Sequence, residues 1–195
     1  TDIANFVEVE TEIVLPGETT DLFATNVHTS TEAGGQTLFA YNEENYPLPD
    51  GWVGPFPANE AGTLTRRIEV DLNYPSGLYY TNKKGQIQLL DLTFEVQSRL
   101  IDDDGNPLGA WATLVSGYSL YGTQSPIRET HGVDVPEGRY EVRLRKTSPS
   151  WNAFDIKYQD KLVWEAMRAF LVGDEPDYGD VTLLAVKIRA TSNLN

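Results

Sequence analysis

The feature that most constrains the fold lies in residues 139–146, where apolar and charged residues alternate from 139 to 145. The apolar members are Tyr140, Val142 and Leu144, and the charged members are Arg139, Glu141, Arg143 and Arg145. A period of two places the two sets on opposite faces of a β-strand, whereas a helix would scatter both around its axis. We therefore predict a half-buried strand with the apolar set in the core and with Arg143 and Arg145 largely exposed.

Similar patterns predict strands through most of the chain. The segments concerned are 64–74, 87–101, 110–121, 162–172 and 181–191, with shorter pieces at 6–9 and 12–15. The Asp-Gly step within 102–107 predicts a hairpin between 87–101 and 110–121. In the last strand, Leu184, Val186 and Ile188 alternate with Lys187 and Arg189.

One segment, 161–172, is ambiguous between helix and strand. Its Glu, Ala, Met and Arg residues are good helix formers, but it lies between two strand patterns and is followed by Gly173. We favour a strand. Short strands separated by Gly and Pro turns predict an all-β fold, a β-sandwich of the immunoglobulin or fibronectin III type with an irregular N-terminal segment.

The domain organisation is predicted from where the regular pattern begins. Residues 51–195 form the predicted β-sandwich domain, and residues 1–50 supply N-terminal strands and a loop packed on it. Residues 24–35 are rich in Thr, Ser and Gly, which is typical of a loop, and the Pro-rich segment 46–51 is the boundary candidate.

Composition excludes several classes of protein. The net charge of −14 argues against a nucleic-acid binder, which needs a basic surface for phosphate. The absence of cysteine excludes a disulfide scaffold, a thiolate metal site and a cysteine nucleophile. No apolar run approaches the roughly 20 residues that span a bilayer, so we expect no membrane insertion.

The sequence contains no convincing catalytic or metal-binding motif. Residues 102–106, Asp-Asp-Asp-Gly-Asn, are mis-spaced for an EF-hand and fit a solvated turn better. His28 and His131 are isolated from each other and from any ligand-spaced cluster. A triad of Ser125, His131 and Asp134 lacks a nucleophile elbow. We therefore assign no catalytic, cofactor-binding or metal residue and expect no cofactor.

The four tryptophans are the remaining candidates for a binding role. Trp111 and Trp164 lie within apolar strand patterns and are predicted to be core residues. Trp52 and Trp151 lie in loop-like contexts, where an exposed indole could stack on a sugar. A carbohydrate-binding module is therefore the alternative to a purely structural domain.

Several segments, taken in order, resemble a known family. They are 52–59, 67–71, 77–79, 101–111, 138–147, Trp164 and 178–191. Together they resemble the tail-tip host-specificity protein (protein J) of long-tailed phages and prophages. The resemblance is good over about residues 50–195 and looser before them, and its most specific parts are the strands within 139–143 and 184–191.

The resemblance implies a non-enzymatic fragment of a large tail-hub protein of the virion, made in the bacterial cytoplasm. It implies a homotrimer in the assembled tail. The partners would be other domains of the same hub, neighbouring tail proteins and, as a further candidate, a host surface receptor. If the fragment is an insertion in the hub, Thr1 and Asn195 should lie within about 20 Å of each other, less than the diameter of a domain this size.

Overall fold

The computed structural model describes residues 6–20, 22, 26–151, 157–173 and 179–190. These residues form fourteen strands, and no helix among them is long and apolar enough to cross a bilayer. The strands are β1 Phe6–Val14, β2 Val27–Ser30, β3 Gln36–Leu38, β4 Val53–Pro57, β5 Thr65–Tyr74, β6 Tyr79–Thr81, β7 Ile87–Gln88, β8 Leu90–Leu100, β9 Ala112–Tyr121, β10 Ile127–Gly138, β11 Tyr140–Lys146, β12 Lys157–Gln159, β13 Leu162–Leu171 and β14 Leu183–Ala190.

The chain divides into two compact units. One consists of Thr1–Val27 and Gly173–Asn195, and the other of His28–Val172. The predicted boundary lies near residue 50, and the predicted strand within 181–191 belongs to the predicted sandwich. In the structure, β14 instead pairs with β1, while β2 and β3 lie beside β13 in a sheet of the larger unit.

The larger unit is an all-β sandwich, as predicted. One sheet has the order β10-β5-β13-β2, with β3 also paired to β13, and the other has the order β4-β11-β8-β9. A small third sheet has the order β12-β6-β7. The inward-facing residues alternate along the long strands, as a half-buried sheet requires.

The core lies on the inner faces of these strands. Its principal members are Ile68, Val70, Leu72 and Tyr74 from β5, Leu90, Leu92, Phe94 and Val96 from β8, Tyr140, Val142 and Leu144 from β11, and Trp164, Met167 and Ala169 from β13. The predicted burial of Tyr140, Val142 and Leu144 is confirmed. Gly117 allows β9 to approach the core closely, because a Cβ there would lie 2.0 Å from the Phe94 ring.

The ambiguous segment 161–172 is strand β13, and its irregular pattern has a structural cause. The register with β5 shifts between Trp164 and Ala166, which is a β-bulge. The bulge changes the alternation phase, so Leu162 and Trp164 are buried before it and Met167 and Ala169 after it. The favoured strand is therefore confirmed, and pairing with β5 overrides the helix propensity of the Glu, Ala, Met and Arg residues.

Other elements differ from the prediction in extent. The expected loop 24–35 contains β2, and the two pieces at 6–9 and 12–15 are one strand, β1. The predicted strand 87–101 is interrupted at the exposed Leu89. The predicted hairpin is confirmed, since β8 pairs antiparallel with β9 across the 102–107 turn.

The smaller unit contains a two-stranded antiparallel ribbon of β1 and β14. Phe6 pairs with Ala190, Val9 with Ile188 and Ile13 with Leu184. The predicted alternation of Leu184 and Val186 with Lys187 is present, but both aliphatic side chains are exposed to solvent. Thr1 and Asn195, which are predicted to lie within about 20 Å of each other, are outside the described residues.

Candidate functional surface

The outer face of the four-stranded sheet is organised by the register of β8 and β11. Glu141 pairs with Arg99, Arg143 with Gln97 and Arg145 with Glu95. Side chains directly opposite each other on one face of an antiparallel pair are close enough to interact. Each of these three pairs is therefore positioned by the backbone to form a cross-strand hydrogen bond.

All three cross-strand pairs are hydrogen-bonded through a guanidinium group. Arg145 donates to Glu95 at 2.7 and 3.1 Å, and Arg143 donates to the Gln97 side-chain oxygen at 2.6 and 3.0 Å. Arg99 donates to Glu141. The planar guanidinium groups are thus held at fixed positions along the sheet.

Two tryptophans complete this face as a ladder of alternating arginine and indole groups. Trp52 precedes β4 and Trp111 precedes β9, so they approach from opposite sides of the β11–β8 pair. The Arg143 guanidinium carbon lies 4.1 Å from the ring centre of Trp52 and 4.0 Å from that of Trp111. We call the series Arg145–Trp52–Arg143–Trp111–Arg99 the Arg–Trp ladder.

The outer members extend the ladder at both ends. Arg145 lies 4.2 Å from Trp52, and Arg99 lies 4.4 Å from Trp111. A guanidinium over an indole face is attracted by the ring quadrupole, and partial desolvation strengthens that attraction. Through these contacts Trp52, before β4, and Trp111, before β9, pack against the arginines of the central strands β8 and β11.

The ladder concentrates positive charge on an otherwise acidic chain. Burial lowers the pKa of Arg143, and the neighbouring cations Arg145 and Arg99 lower it further. Burial opposes ionisation of Glu95, but hydrogen bonds led by that of Arg145 outweigh this and hold the pKa of Glu95 below its usual range. Glu95 is thus an ionised counter-charge to the ladder at neutral pH.

We expect Arg143→Ala to destabilise the domain by about 2 kcal/mol, because it removes two cation–π contacts and two hydrogen bonds. Urea denaturation followed by fluorescence measures the loss. Arg66→Ala, at an exposed position of β5, is the control and should change stability by less than about 0.5 kcal/mol. Equal stability of the two variants would show that the ladder contributes nothing.

Two sequence predictions about this face are wrong. Trp111 is not a core residue but a half-buried member of the ladder. Arg143 and Arg145 are half-buried rather than largely exposed, because indole rings cover them. Trp52, for which the sequence left a sugar-binding role open, also belongs to the Arg–Trp ladder. Trp164 is a core residue as predicted, fully buried against Phe56.

The remaining tryptophan forms a separate aromatic stack. Trp151 lies 6.2 Å from Tyr158 with nearly parallel rings, and Tyr158 lies 5.7 Å from Tyr80. The Trp151 side chain is 47% exposed. It is the tryptophan that best fits the predicted sugar-stacking role.

A chain of hydrogen bonds connects polar groups of β5, β9 and β10. The Tyr74 hydroxyl donates to Ser119 at 2.7 Å, and Ser119 donates to Glu129 at 2.8 Å. A His131 ring nitrogen lies 3.2 Å from the same carboxylate. Burial opposes ionisation of Glu129, but hydrogen bonds from His131, Ser119 and Tyr121 hold its pKa below the usual range.

The conceivable triad of Ser125, His131 and Asp134 is not assembled. His131 lies on the inner side of β10 against Glu129 and the Phe94 ring. Asp134 faces outward and accepts a hydrogen bond from Arg67 at 2.9 Å. Ser125 is exposed, and its backbone N–H donates to Thr123. Residues 131 and 134 lie on opposite faces of one strand, so they cannot act together.

The acidic turn at 102–106 is held by its own backbone. One Asp102 carboxylate oxygen accepts from the N–H groups of Asp104 and Asn106, and the other accepts from the Asn106 side chain. These bonds, led by that from the Asn106 side chain, lower the pKa of Asp102. Gly105 has a φ of 84°, which the tight turn requires.

His28 lies away from His131 and lines an open surface cavity of about 600 Å³. Its Nδ1 atom is 3.8 Å from the carboxylate of Glu60. Throughout the described ranges, no three His, Asp or Glu side chains converge as a metal site would require. The two histidines of the sequence are on separate parts of the sandwich.

We expect titration with Ca²⁺ or Zn²⁺ to leave the melting temperature unchanged. A metal that binds the native state stabilises it by mass action, so a real site would raise the melting temperature in a saturable way. Differential scanning calorimetry over a millimolar range is the measurement. A saturable rise of several degrees that Asp102→Asn abolishes would establish a calcium site in the turn.

Comparison with known proteins identifies the family. The family model of the FNIII-A domain of tip attachment protein J matches residues 58–172, more than half of the chain. The chain belongs to the tip attachment protein J family. The match runs from the end of β4 to the end of β13 and so includes four of the five ladder residues, all except Trp52. No curated protein matches the chain.

Two solved structures are similar to the chain at low identity. The structure of infectious bursal disease virus, Gx strain, has a TM-score of 0.42 at 15% identity and covers 86% of this chain and 37% of that one. The receptor-binding domain of spike protein P1 from bacteriophage PM2 has a TM-score of 0.35 at 12% identity. It covers 75% of this chain and 94% of that one. The chain thus spans 37% of the length of the matched infectious bursal disease virus chain.

Family membership places the chain in a coarse functional class. It is a structural domain of a phage tail protein with a role in the particle or its attachment. It is accordingly a virion component.

Proposed function

We propose that the chain is a non-catalytic structural domain of a phage or prophage tail-tip hub, and that it contributes to tail assembly and host attachment. The observation that carries this proposal is the match of residues 58–172 to the FNIII-A domain of tip attachment protein J. The protein is made in the bacterial cytoplasm and enters the tail as part of a homotrimer. Its partners are other domains of the hub, neighbouring tail proteins and a host surface receptor.

The chemistry of the sandwich supports a mechanical role. The charged groups of the Arg–Trp ladder bind one another rather than face an empty pocket. Glu129 and His131 are likewise satisfied within the hydrogen-bonded chain. Polar groups that are mutually saturated stabilise the strands that carry them and leave little capacity for acid–base work. We assign no catalytic, cofactor or metal residue.

The assembly role is tested in the phage that encodes this domain. We expect Val142→Asp in the tail protein to give tails that lack a complete tip in electron micrographs, because the sandwich cannot form. Arg66→Ala should give normal particles and plaques. Tails with complete tips that carry Val142→Asp would contradict a structural role in assembly.

A carbohydrate-binding module is the second candidate. The stack of Trp151 on Tyr158 favours it, because exposed indoles bind sugar rings by stacking. A glycan array probed with the purified domain and with Trp151→Ala distinguishes the two. Saturable binding that Trp151→Ala abolishes would support the second candidate, and the structural proposal expects no binding.

A further inference from the structure

The open cavity beside His28 contains polar groups that the rest of the described chain does not use. Its volume is about 600 Å³, which is within the usual range of small-molecule sites. It is lined by residues 28–32, residues 57 and 59–61, and Arg139. Because β2 and β4 are edge strands of the two sheets, the cavity lies at a margin of the sandwich. We call it the β2–β4 cavity.

Arg139 brings to the cavity a positive charge that forms no salt bridge within the described chain. Its Nε donates to the backbone oxygen of Asn59 at 3.2 Å, and its Nη1 donates to the backbone oxygen of Asp102 at 2.6 Å. The Asp102 carboxylate is instead occupied by its own turn, where it accepts from Asp104 and Asn106. The Nη2 atom of Arg139 has no partner among the described residues. A guanidinium held in place by neutral carbonyl groups is positioned to bind an anion.

Ser30 adds a hydroxyl group that has no internal hydrogen bond. The residue is only 6% exposed, yet its side chain has no hydrogen-bond partner in the part of the chain that the structure describes. Such a hydroxyl can bond a ligand without first giving up a bond within the protein. His28 lies two residues earlier on β2, so its side chain is on the same strand face as that of Ser30.

The exposed lining residues of the cavity are of a different kind. Glu32 and Glu60 contribute carboxylates, of which the Glu60 side chain is 74% exposed, and Thr29 and Thr31 contribute hydroxyl groups. A carboxylate only accepts hydrogen bonds, whereas a hydroxyl both donates and accepts them. These groups therefore suit the neutral hydroxyls of a ligand and disfavour a second negative charge. Among the described residues, no Trp, Tyr or Phe lines the cavity.

We propose that the β2–β4 cavity binds a sugar acid, with the carboxylate of the sugar at Arg139 and Ser30 and its ring hydroxyls at the exposed glutamates and threonines. The one negative charge of a uronic acid matches the single guanidinium. A neutral sugar would leave Arg139 without a counter-charge, and a phosphate ester, with nearly two charges at pH 7, would be repelled by Glu60. The inference uses only the residues of this cavity. It goes beyond the proposed structural role, which by itself expects no sugar binding.

Titration of the isotope-labelled chain, followed by amide chemical shifts, tests the ligand class. The probes are galacturonate and glucuronate, with galactose and glucose as the matching neutral sugars and inorganic phosphate as an anion without a ring. We expect a uronate to give saturable shifts at residues 28–32 and 59–61, and not at Trp151 and Tyr158. The neutral sugars and phosphate should bind about tenfold more weakly or less, since each lacks one half of the match. Absence of saturable shifts with either uronate, or equal binding of a uronate and its neutral sugar or phosphate, would overturn the proposal.

Ser30→Ala tests the site itself, because it removes a hydroxyl that makes no bond within the described chain. We expect the urea midpoint to stay unchanged while uronate binding weakens by about threefold or more. The matched control is Ser116→Ala, at an exposed position of β9, which is the opposite edge strand of the sheet from β4. It should change neither quantity. Unchanged uronate binding by Ser30→Ala would contradict the assignment of the site.

Arg139→Gln is the second variant and should weaken uronate binding by about tenfold or more, because a charged hydrogen bond is lost. It also loses the bonds to Asn59 and Asp102, so its urea midpoint is measured alongside. If this variant unfolds, Ser30→Ala alone decides the outcome. A folded Arg139→Gln that binds a uronate as well as the unaltered chain would overturn the proposal.

Discussion

Replacing Val142 with aspartate is expected to lower the free energy of unfolding by about 4 kcal/mol or more. Val142 is fully buried in β11, between β4 and β8. A carboxylate there would lose its hydration without gaining a partner, which is among the most destabilising changes in a core. The denaturation midpoint in urea measures the loss, or the variant fails to fold.

The matched control is Arg66→Asp, which introduces the same carboxylate at an exposed position of β5. We expect it to change stability by less than about 1 kcal/mol. Equal stability of the Val142 and Arg66 variants would show that the inner and outer faces of β11 are assigned the wrong way round.

Lys146→Met is expected to destabilise the domain by about 3 kcal/mol. The Lys146 side chain is 1% exposed, and its ammonium group donates to the Asp160 carboxylate at 2.8 Å and to Ser150 at 2.9 Å. Glu43 lies 3.6 Å away. Removing the cation leaves two partly buried carboxylates without their counter-charge, and breaking a buried ion pair typically costs several kcal/mol.

Lys83→Met is the control for this prediction, because Lys83 is exposed on the loop after β6. The same methionine there should leave the urea midpoint nearly unchanged. A Lys146→Met variant as stable as the unaltered chain would mean that the desolvation cost of the cluster cancels its attraction.

The sequence predicted the sandwich where most inward positions of a strand are apolar. β5, β8 and β11 each alternate over most of their length, and each was placed correctly within a few residues. β10 was not predicted, because two of its inward positions are Glu129 and His131. Their side chains are accommodated by Ser119 and by each other, a contact between distant strands that no local pattern reveals.

The Arg–Trp ladder could not be predicted for a related reason. Trp111 lies beside an apolar strand pattern, which is typical of core residues, and its true neighbours Arg99 and Arg143 depend on the pairing of β8 with β11. That pairing joins segments some 40 residues apart in sequence. The alternating arginines of 139–146 were the available signal, since a row of guanidinium groups on one strand face needs acceptors or aromatic cover.

The exposed aliphatic side chains of β14 show the opposite limit of pattern-based prediction. Alternation in 181–191 correctly predicted a strand, but not which face would be covered. Leu184 and Val186 remain in solvent although their spacing matches that of buried residues in β11. Periodicity specifies the two faces of a strand, while burial depends on what packs against them.

The most direct test of the account is to locate the domain in the particle. Antibodies raised against the purified 195-residue chain can be bound to intact phage and visualised with gold in electron micrographs. A structural domain of the tail-tip hub predicts gold at the distal end of the tail. Gold on the capsid, or particles that carry none while the free lysate contains the protein, would contradict the central claim.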